Sequence, residues 1–208
     1  NIQAKVTESK NNPVSIKDAF SKRSSKMAFT ICLCLMFFQQ FSGINAVIFN
    51  TTTIFESAGS DIEPGIATII IGVIQVVATL LSTVIVDKLG RRILLLLSAT
   101  AMAICDILLG VFFYLKFDAP NKDEELVESL SWLPLTSLCI FIVAFSLGFG
   151  PIPWLVAGEM CTPNIKAFVS ATGGTFNWVL AFIVTRTFVD MKAGLGEGGA
   201  FWLFGGFT

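Results

Sequence analysis

Two clusters of neutral hydrogen-bonding groups stand where a lipid-spanning chain tolerates them least. Gln39-Gln40-Phe41-Ser42-Gly43-Ile44-Asn45 lies inside one apolar stretch, and Gly148-Phe149-Gly150-Pro151-Ile152-Pro153-Trp154 lies inside another. Carboxamides offer a donor and an acceptor without charge. An indole can lie against the C–H face of a pyranose while its N–H donates a bond. At membrane depth, polar side chains and broken backbone survive only against protein or a water-filled cavity. Such a cavity suits an uncharged polyhydroxylated solute. The competing reading makes the amides glue between packed helices and the Pro-Trp cluster a kinked packing helix with an interfacial aromatic. Trp154 lies nearer the middle of its span than a headgroup belt, which counts against that reading.

The elements that carry these residues must be interrupted helices. On an ideal helix, at about 100° per residue, Gln39, Gly43, Ala46 and Asn50 share one stripe, while Gln40 and Asn45 point elsewhere. A break at Gly43 is therefore expected, because it lets Gln39, Gln40 and Asn45 converge. Pro151 and Pro153 lack amide hydrogens and leave the carbonyls of Leu147 and Phe149 without helical donors. Gly148 and Gly150 loosen the same stretch. A further span carries Gln75 about halfway across. Another carries Thr172-Gly173-Gly174-Thr175, whose glycines suit close helix packing, followed by Asn177 and Trp178 as rim, gate or packing.

Composition sets the class. Of 208 residues, 54% are hydrophobic and only 14% charged, and mean hydropathy is +0.76. Stretches of roughly 20 apolar residues cross a hydrocarbon core as helices. They are expected near residues 27–50, 64–86, 93–115, 132–157 and 167–189, with a sixth beginning near Gly199. The sixth runs only to Thr208, and the chain opens on Asn1, so a fragment is expected. The fold class is an all-α membrane protein, with residues 1–26 a polar segment and 27–208 a transmembrane bundle. Ten of the 14 Lys and Arg fall on the side of residues 1–26, which places that segment in the cytoplasm. Ser15 and Asp18 resemble a capping box there, and the acidic loop 116–131 reads as a solvated connector.

On the cytoplasmic side, Asp87-Lys88-Leu89-Gly90-Arg91-Arg92 is a tight turn, and Glu159 and Lys166 flank another. A bond from Arg91 or Arg92 to Glu159 would latch neighbouring helix ends in one conformation. Asp106, the one carboxylate deep in a span, is expected to make a structural hydrogen bond. The five cysteines (Cys32, Cys34, Cys105, Cys139, Cys161) show no metal spacing and read as packing residues. With no His in the chain, a His-based proton relay or triad is excluded. No nucleophile–base set, cofactor motif, metal cluster or nucleic-acid signature accompanies the amides.

At these residues the chain resembles the sugar porter family of the major facilitator superfamily. Gln39-Gln40 through Asn45, Asp87 through Arg92, Gly150 through Trp154, Glu159 through Lys166, and Asn177-Trp178 stand in family order and spacing. The resemblance implies the C-terminal six-helix half of a twelve-helix transporter with its last helix truncated, rocking against an N-terminal half. It implies sugar contacts at Gln39, Gln40, Asn45, Gln75 and Trp154. Gating is implied for Phe49, Asn50, Gly150, Pro151, Pro153, Asn177 and Trp178, and a cytoplasmic latch for Asp87, Gly90, Arg91, Arg92, Glu159 and Lys166. The overall look, including the Thr51-Thr52-Thr53-Ile54-Phe55 continuation, resembles facilitated carriers of the disaccharide trehalose in insects. Gln75 stands where glucose facilitators usually place Asn, Phe49-Asn50 replaces a Tyr pair, Ser146 a Glu, and Lys166 an Arg. Substrate therefore stays open between hexoses and trehalose. The expected protein is a passive sugar carrier in the bilayer of the plasma membrane, with a proton-coupled symporter or a transporter-like receptor as alternatives.

Overall fold

The structure, a computed structural model, describes residues 22–58, 63–119 and 124–208. Among them no strand occurs, and five segments are long and apolar enough to cross a membrane: Arg23–Phe49, Gly65–Leu89, Arg91–Asp118, Leu133–Met160 and Ile165–Leu195. The chain is a multi-pass membrane protein. Most of residues 1–26, with the Ser15–Asp18 pair, lies outside the described residues.

The first span is two helices, α1 (Arg23–Phe41) and α2 (Ile44–Phe49), meeting at Gly43 with φ +78. A side chain is disfavoured at that angle, and a Cβ there would overlap the Phe204 ring. Ser42 Oγ ties the break by donating to Gln39 O at 2.8 Å. After α3 (Thr51–Ala58) come α4 (Pro64–Leu89) and α5 (Arg91–Phe113), joined at Gly90. Helix α5 continues as a π turn, Tyr114–Asp118, and a short α6 (Glu124–Ser129) follows. The stretch expected as a plain connector thus carries structure, and Asp118 folds back to accept from the Gly198 N–H at 3.2 Å.

The fourth span is broken as the prolines dictate: α7 (Leu133–Ala144), a π segment (Phe145–Phe149) and α8 (Pro151–Met160). Here the Gly150 N–H reaches back five residues to Phe145 O at 2.7 Å. Ser98 of α5 plugs the interruption, accepting from the Phe149 N–H at 3.0 Å and donating to Ala144 O at 2.7 Å. Gly148 permits this approach, since a Cβ there would press on the Ser98 Cβ and Leu94 O. From α4, Ser82 Oγ donates at 2.8 Å to Leu147 O, the carbonyl orphaned by Pro151.

Helix α9 (Pro163–Leu195) has 33 residues, against the expected 167–189. Hydropathy marks only the lipid-facing part, whereas polar ends such as Lys166, Arg186 and Asp190 let the helix continue into water. Helix α10 (Glu197–Phe207) starts at Glu197, two residues before expectation. It docks on α5 where Gly110 and Gly198 leave no room for a Cβ.

Two packed clusters bracket the middle of the bundle. Phe112, Phe113, Phe141, Phe188, Phe201 and Phe204 are buried in one, with Phe113 stacked on Phe201 at 5.2 Å. The other gathers Cys32, Met36, Ala157, Cys161, Ile165 and Val169. Gly173 faces Cys32 Sγ with space for little more than a hydrogen, so it serves close packing as expected, whereas a Cβ at Gly174 would make only ordinary contact.

Because Ser98 supplies both partners missing from one broken turn, Ser98→Ala should destabilise the protein by about 1–3 kcal/mol, the cost of orphaning buried backbone groups. Thermal unfolding in detergent measures it. Thr100→Ala, which removes only an exposed bond to its own helix, should leave the midpoint unchanged.

Candidate functional site: an amide-lined cavity

Between the two clusters lies a cavity of about 360 Å³, at the small end of the range for small-molecule sites. Its wall includes Gln39, Gln40, Asn45, Gln75, Trp154 and Asn177, so the Gly43 break does bring the amides together. Gly150, Pro151, Ser146 and Trp178 also border it. Ile44, Ile48, Thr79 and Phe145 complete the wall and were not foreseen. Their signal was present for α2 and α4, because Ile44 directly precedes Asn45, Ile48 follows it by about one turn, and Thr79 lies one turn beyond Gln75.

The amides form one directed chain. Gln39 Nε2 donates to Phe149 O at 2.8 Å and to Gly150 O at 2.9 Å. Phe149 O is the second carbonyl orphaned by the prolines, through Pro153. Both acceptors are backbone oxygens, so the Gln39 nitrogen must face them and its Oε1 must accept. Asn177 Nδ2 donates to that oxygen at 2.8 Å. Asn177 Oδ1 then accepts from Gln40 Nε2 at 2.8 Å, and Gln40 Oε1 accepts from Asn45 Nδ2 at 2.6 Å. A broken backbone in the fourth span thereby fixes the orientation of the amides of Gln39, Asn177, Gln40 and Asn45.

This chain leaves a definite inventory. Gln39 has spent both hydrogens and keeps one acceptor direction. Gln40 keeps one hydrogen and one lone pair, and Asn45 keeps a hydrogen and its whole oxygen. Trp154 adds a ring beside Gly174, where even a Cβ would meet the indole only at ordinary contact distance. Gln75, half-buried, faces the cavity from α4. The surface is donor- and acceptor-rich without charge: no Asp, Glu, Lys or Arg among the described residues borders it.

The remaining expected residues fall in three places. Asn177 is buried at the hub of the chain rather than at a rim, while Trp178 is exposed at the edge. Phe49 and Asn50 do not line this cavity. Phe49 is exposed, and Asn50 caps α2 by donating to Ala46 O at 2.9 Å. Asp106 is fully buried, and neither of its carboxyl oxygens has a hydrogen-bond partner, so the structural hydrogen bond expected of it is not made. It packs against Gly205 of α10, a residue that offers no side-chain donor.

At the far end of α4, Arg91 Nη2 donates to Glu159 Oε1 at 2.8 Å, and Asp87 stands 3.8 Å from the same guanidinium. The pair joins the α4–α5 turn to the end of α8. Arg92 and Lys166 take no part in it, and Lys166 instead lies near Gly158 and Cys161. Both partners are about half exposed, so the bond contributes only about 0–1 kcal/mol and parts readily.

A helical bundle with a broken, amide-lined central cavity is the architecture of a membrane carrier, and the chain belongs to the sugar (and other) transporter family, whose model matches residues 1–208. Among curated relatives, it is similar to "Facilitated trehalose transporter Tret1" of Anopheles gambiae. The two are 51% identical over 175 residues, covering 84% of this chain and 21% of that protein. The Tret1 of Polypedilum vanderplanki is 49% identical over 184 residues, covering 88% of this chain and 36% of that one. The chain therefore spans well under half the length of these relatives. The fold is that of the major facilitator superfamily. The proton:xylose symporter XylE bound to 6-bromo-6-deoxy-D-glucose superposes with a TM-score of 0.71 at 28% identity, covering 86% of this chain and 37% of that one. The inward open xylose transporter XylE from E. coli gives 0.69 at 29% identity, covering 86% and 35%.

Gln39→Glu tests the fixed polarity. A carboxylate has no hydrogen for the Phe149 and Gly150 carbonyls, so uptake by the full-length protein should fall about tenfold or more, in line with 1–3 kcal/mol per orphaned group. Asn45→Asp, at the cavity end of the chain, should cost less. Equal losses at equal surface expression would count against the direction assigned here.

Proposed function

We propose that the chain is the C-terminal half of a sugar carrier that works by alternating access and moves trehalose or a hexose by facilitated diffusion. The observation that carries this reading is the chain of oriented, uncharged amides facing one cavity beside Trp154. Such a surface exchanges hydrogen bonds with hydroxyls one for one and lays an aromatic face against ring C–H groups. The trehalose assignment draws support from the names of the relatives. Passive transport draws support from the same names, which describe facilitated transporters.

In this reading Gln40, Asn45, Gln75 and Trp154 contact the sugar, and Gln39 does so through its remaining acceptor direction while holding the α8 break. Gly150, Pro151 and Pro153 form the hinge, and Trp178 forms the rim. The N-terminal half of the carrier supplies the opposite wall. Residues 1–26 face the cytoplasm of a plasma-membrane protein, as their positive charge favours. The Arg91–Glu159 bond then lies on the cytoplasmic side and holds one orientation of the cycle, and its low net strength lets it open within each turnover.

Uptake of radiolabelled trehalose and glucose by the full-length protein, with and without a protonophore, tests the proposal. Saturable uptake insensitive to the protonophore is expected, whereas collapse by the protonophore would move the protein to the proton-coupled reading that the XylE likeness favours. Gln40→Ala and Trp154→Ala should abolish saturable uptake with membrane insertion intact. Glu159→Ala should change access of cytoplasmic thiol probes more than sugar affinity, and a change confined to affinity would remove the latch.

A further inference from the structure

A second depression opens beyond α2, toward the end of the bundle where α9 meets α10. It has a volume of about 300 Å³ and is lined by Asn50, Thr53, Phe188, Val189, Lys192 and Glu197 among others. We propose that it is an outer binding station for the same class of neutral polyhydroxylated solute, visited before the amide-lined cavity. The proposal rests on the sugar-carrier reading and on the orientation given with it, which places this end outside the cell.

The chemistry of the depression is built rather than incidental. Lys192 and Glu197 are largely buried, with side-chain exposures of 14% and 28%, and Nζ lies 2.7 Å from Oε2. The ion pair satisfies Oε2, and the second carboxylate oxygen of Glu197 keeps its lone pairs for a ligand hydroxyl. The ammonium is held in place by the Phe188 ring, 5.6 Å from its centroid, and retains hydrogens for a ligand oxygen. Asn50 has one amide hydrogen engaged by Ala46 O and leaves its oxygen free. The Thr53 hydroxyl is exposed, and Val189 supplies an apolar wall. Because the charges cancel within the pair, the station favours polar neutral molecules over ions.

Its placement makes it sequential with the inner cavity. The two share the same walls: Ile48 borders the inner cavity and Asn50 the outer, while on α9 Trp178 borders the inner and Val189 the outer. Eleven residues of helix separate that last pair, roughly 16 Å at 1.5 Å per residue. One solute leaves the outer station before it occupies the inner one.

The test uses the full-length carrier bearing Thr53→Cys, labelled from outside with a membrane-impermeant thiol reagent and compared with the same carrier lacking that cysteine. Trehalose at ten times its dissociation constant for the station should slow modification about tenfold, the factor expected for a competing ligand. Protection should persist when Gln40→Ala disables the inner cavity. It should vanish in the double variant Lys192→Met with Glu197→Gln, whose uptake at saturating sugar remains. Asn50→Cys repeats the measurement if Thr53→Cys reaches the membrane poorly. Protection lost with Gln40→Ala alone, or indifferent to the double variant, overturns the outer station while leaving the carrier reading intact. A parent carrier that takes up no sugar removes the carrier reading, and the outer station with it.

Discussion

A carbonyl group at membrane depth has no water to turn to, and this organises the candidate site. Pro151 and Pro153 strip donors from Leu147 and Phe149, and an unmet carbonyl in hydrocarbon costs several kcal/mol. Gln39 answers the second with its amide hydrogens and takes the Gly150 oxygen as well. From that necessity the orientation of Asn177, Gln40 and Asn45 follows in turn. The orientation of the hydrogen-bonding groups on the cavity wall is thus set by backbone geometry in a different helix.

The same shortage recruits two serines. Ser82 from α4 meets Leu147 O, and Ser98 from α5 bridges Ala144 O and the Phe149 N–H. Three helices therefore hold one interrupted span by its exposed backbone. Tilting α8 would have to exchange these bonds together, which favours discrete arrangements over continuous flexing. The break and the cavity share atoms at Gln39, so a molecule that engages its free acceptor direction would act directly on the break.

Much of this was legible in the residues. An intact helix through Gln39 and Asn45 would have wasted its amides, so the interruption at Gly43 could be read from angle alone. The prolines announced their own break and named the two carbonyls they orphan. What answers those carbonyls was not legible. Ser82 and Ser98 are ordinary small residues in apolar spans, and no spacing marks them as donors to a helix far away in sequence. Asn177 stayed open among rim, gate and packing because its partners come from α1, which only the packing of α9 across Gly173 reveals. Asp106 was expected to find a bond, since its burial was evident in the sequence but the donor-free face of α10 opposite it was not. Helix α9 overran its estimate because hydropathy measures the slab of lipid and is silent about where a helix stops in water.

The directed run of amides has a positional corollary. Because Gln39 is pinned at one end, hydrogens and lone pairs follow one another along the wall in a set order. Two sugars that are epimers, differing in the direction of a single hydroxyl, meet that order differently at one place only. Discrimination between epimers would then originate in two backbone oxygens of a neighbouring helix.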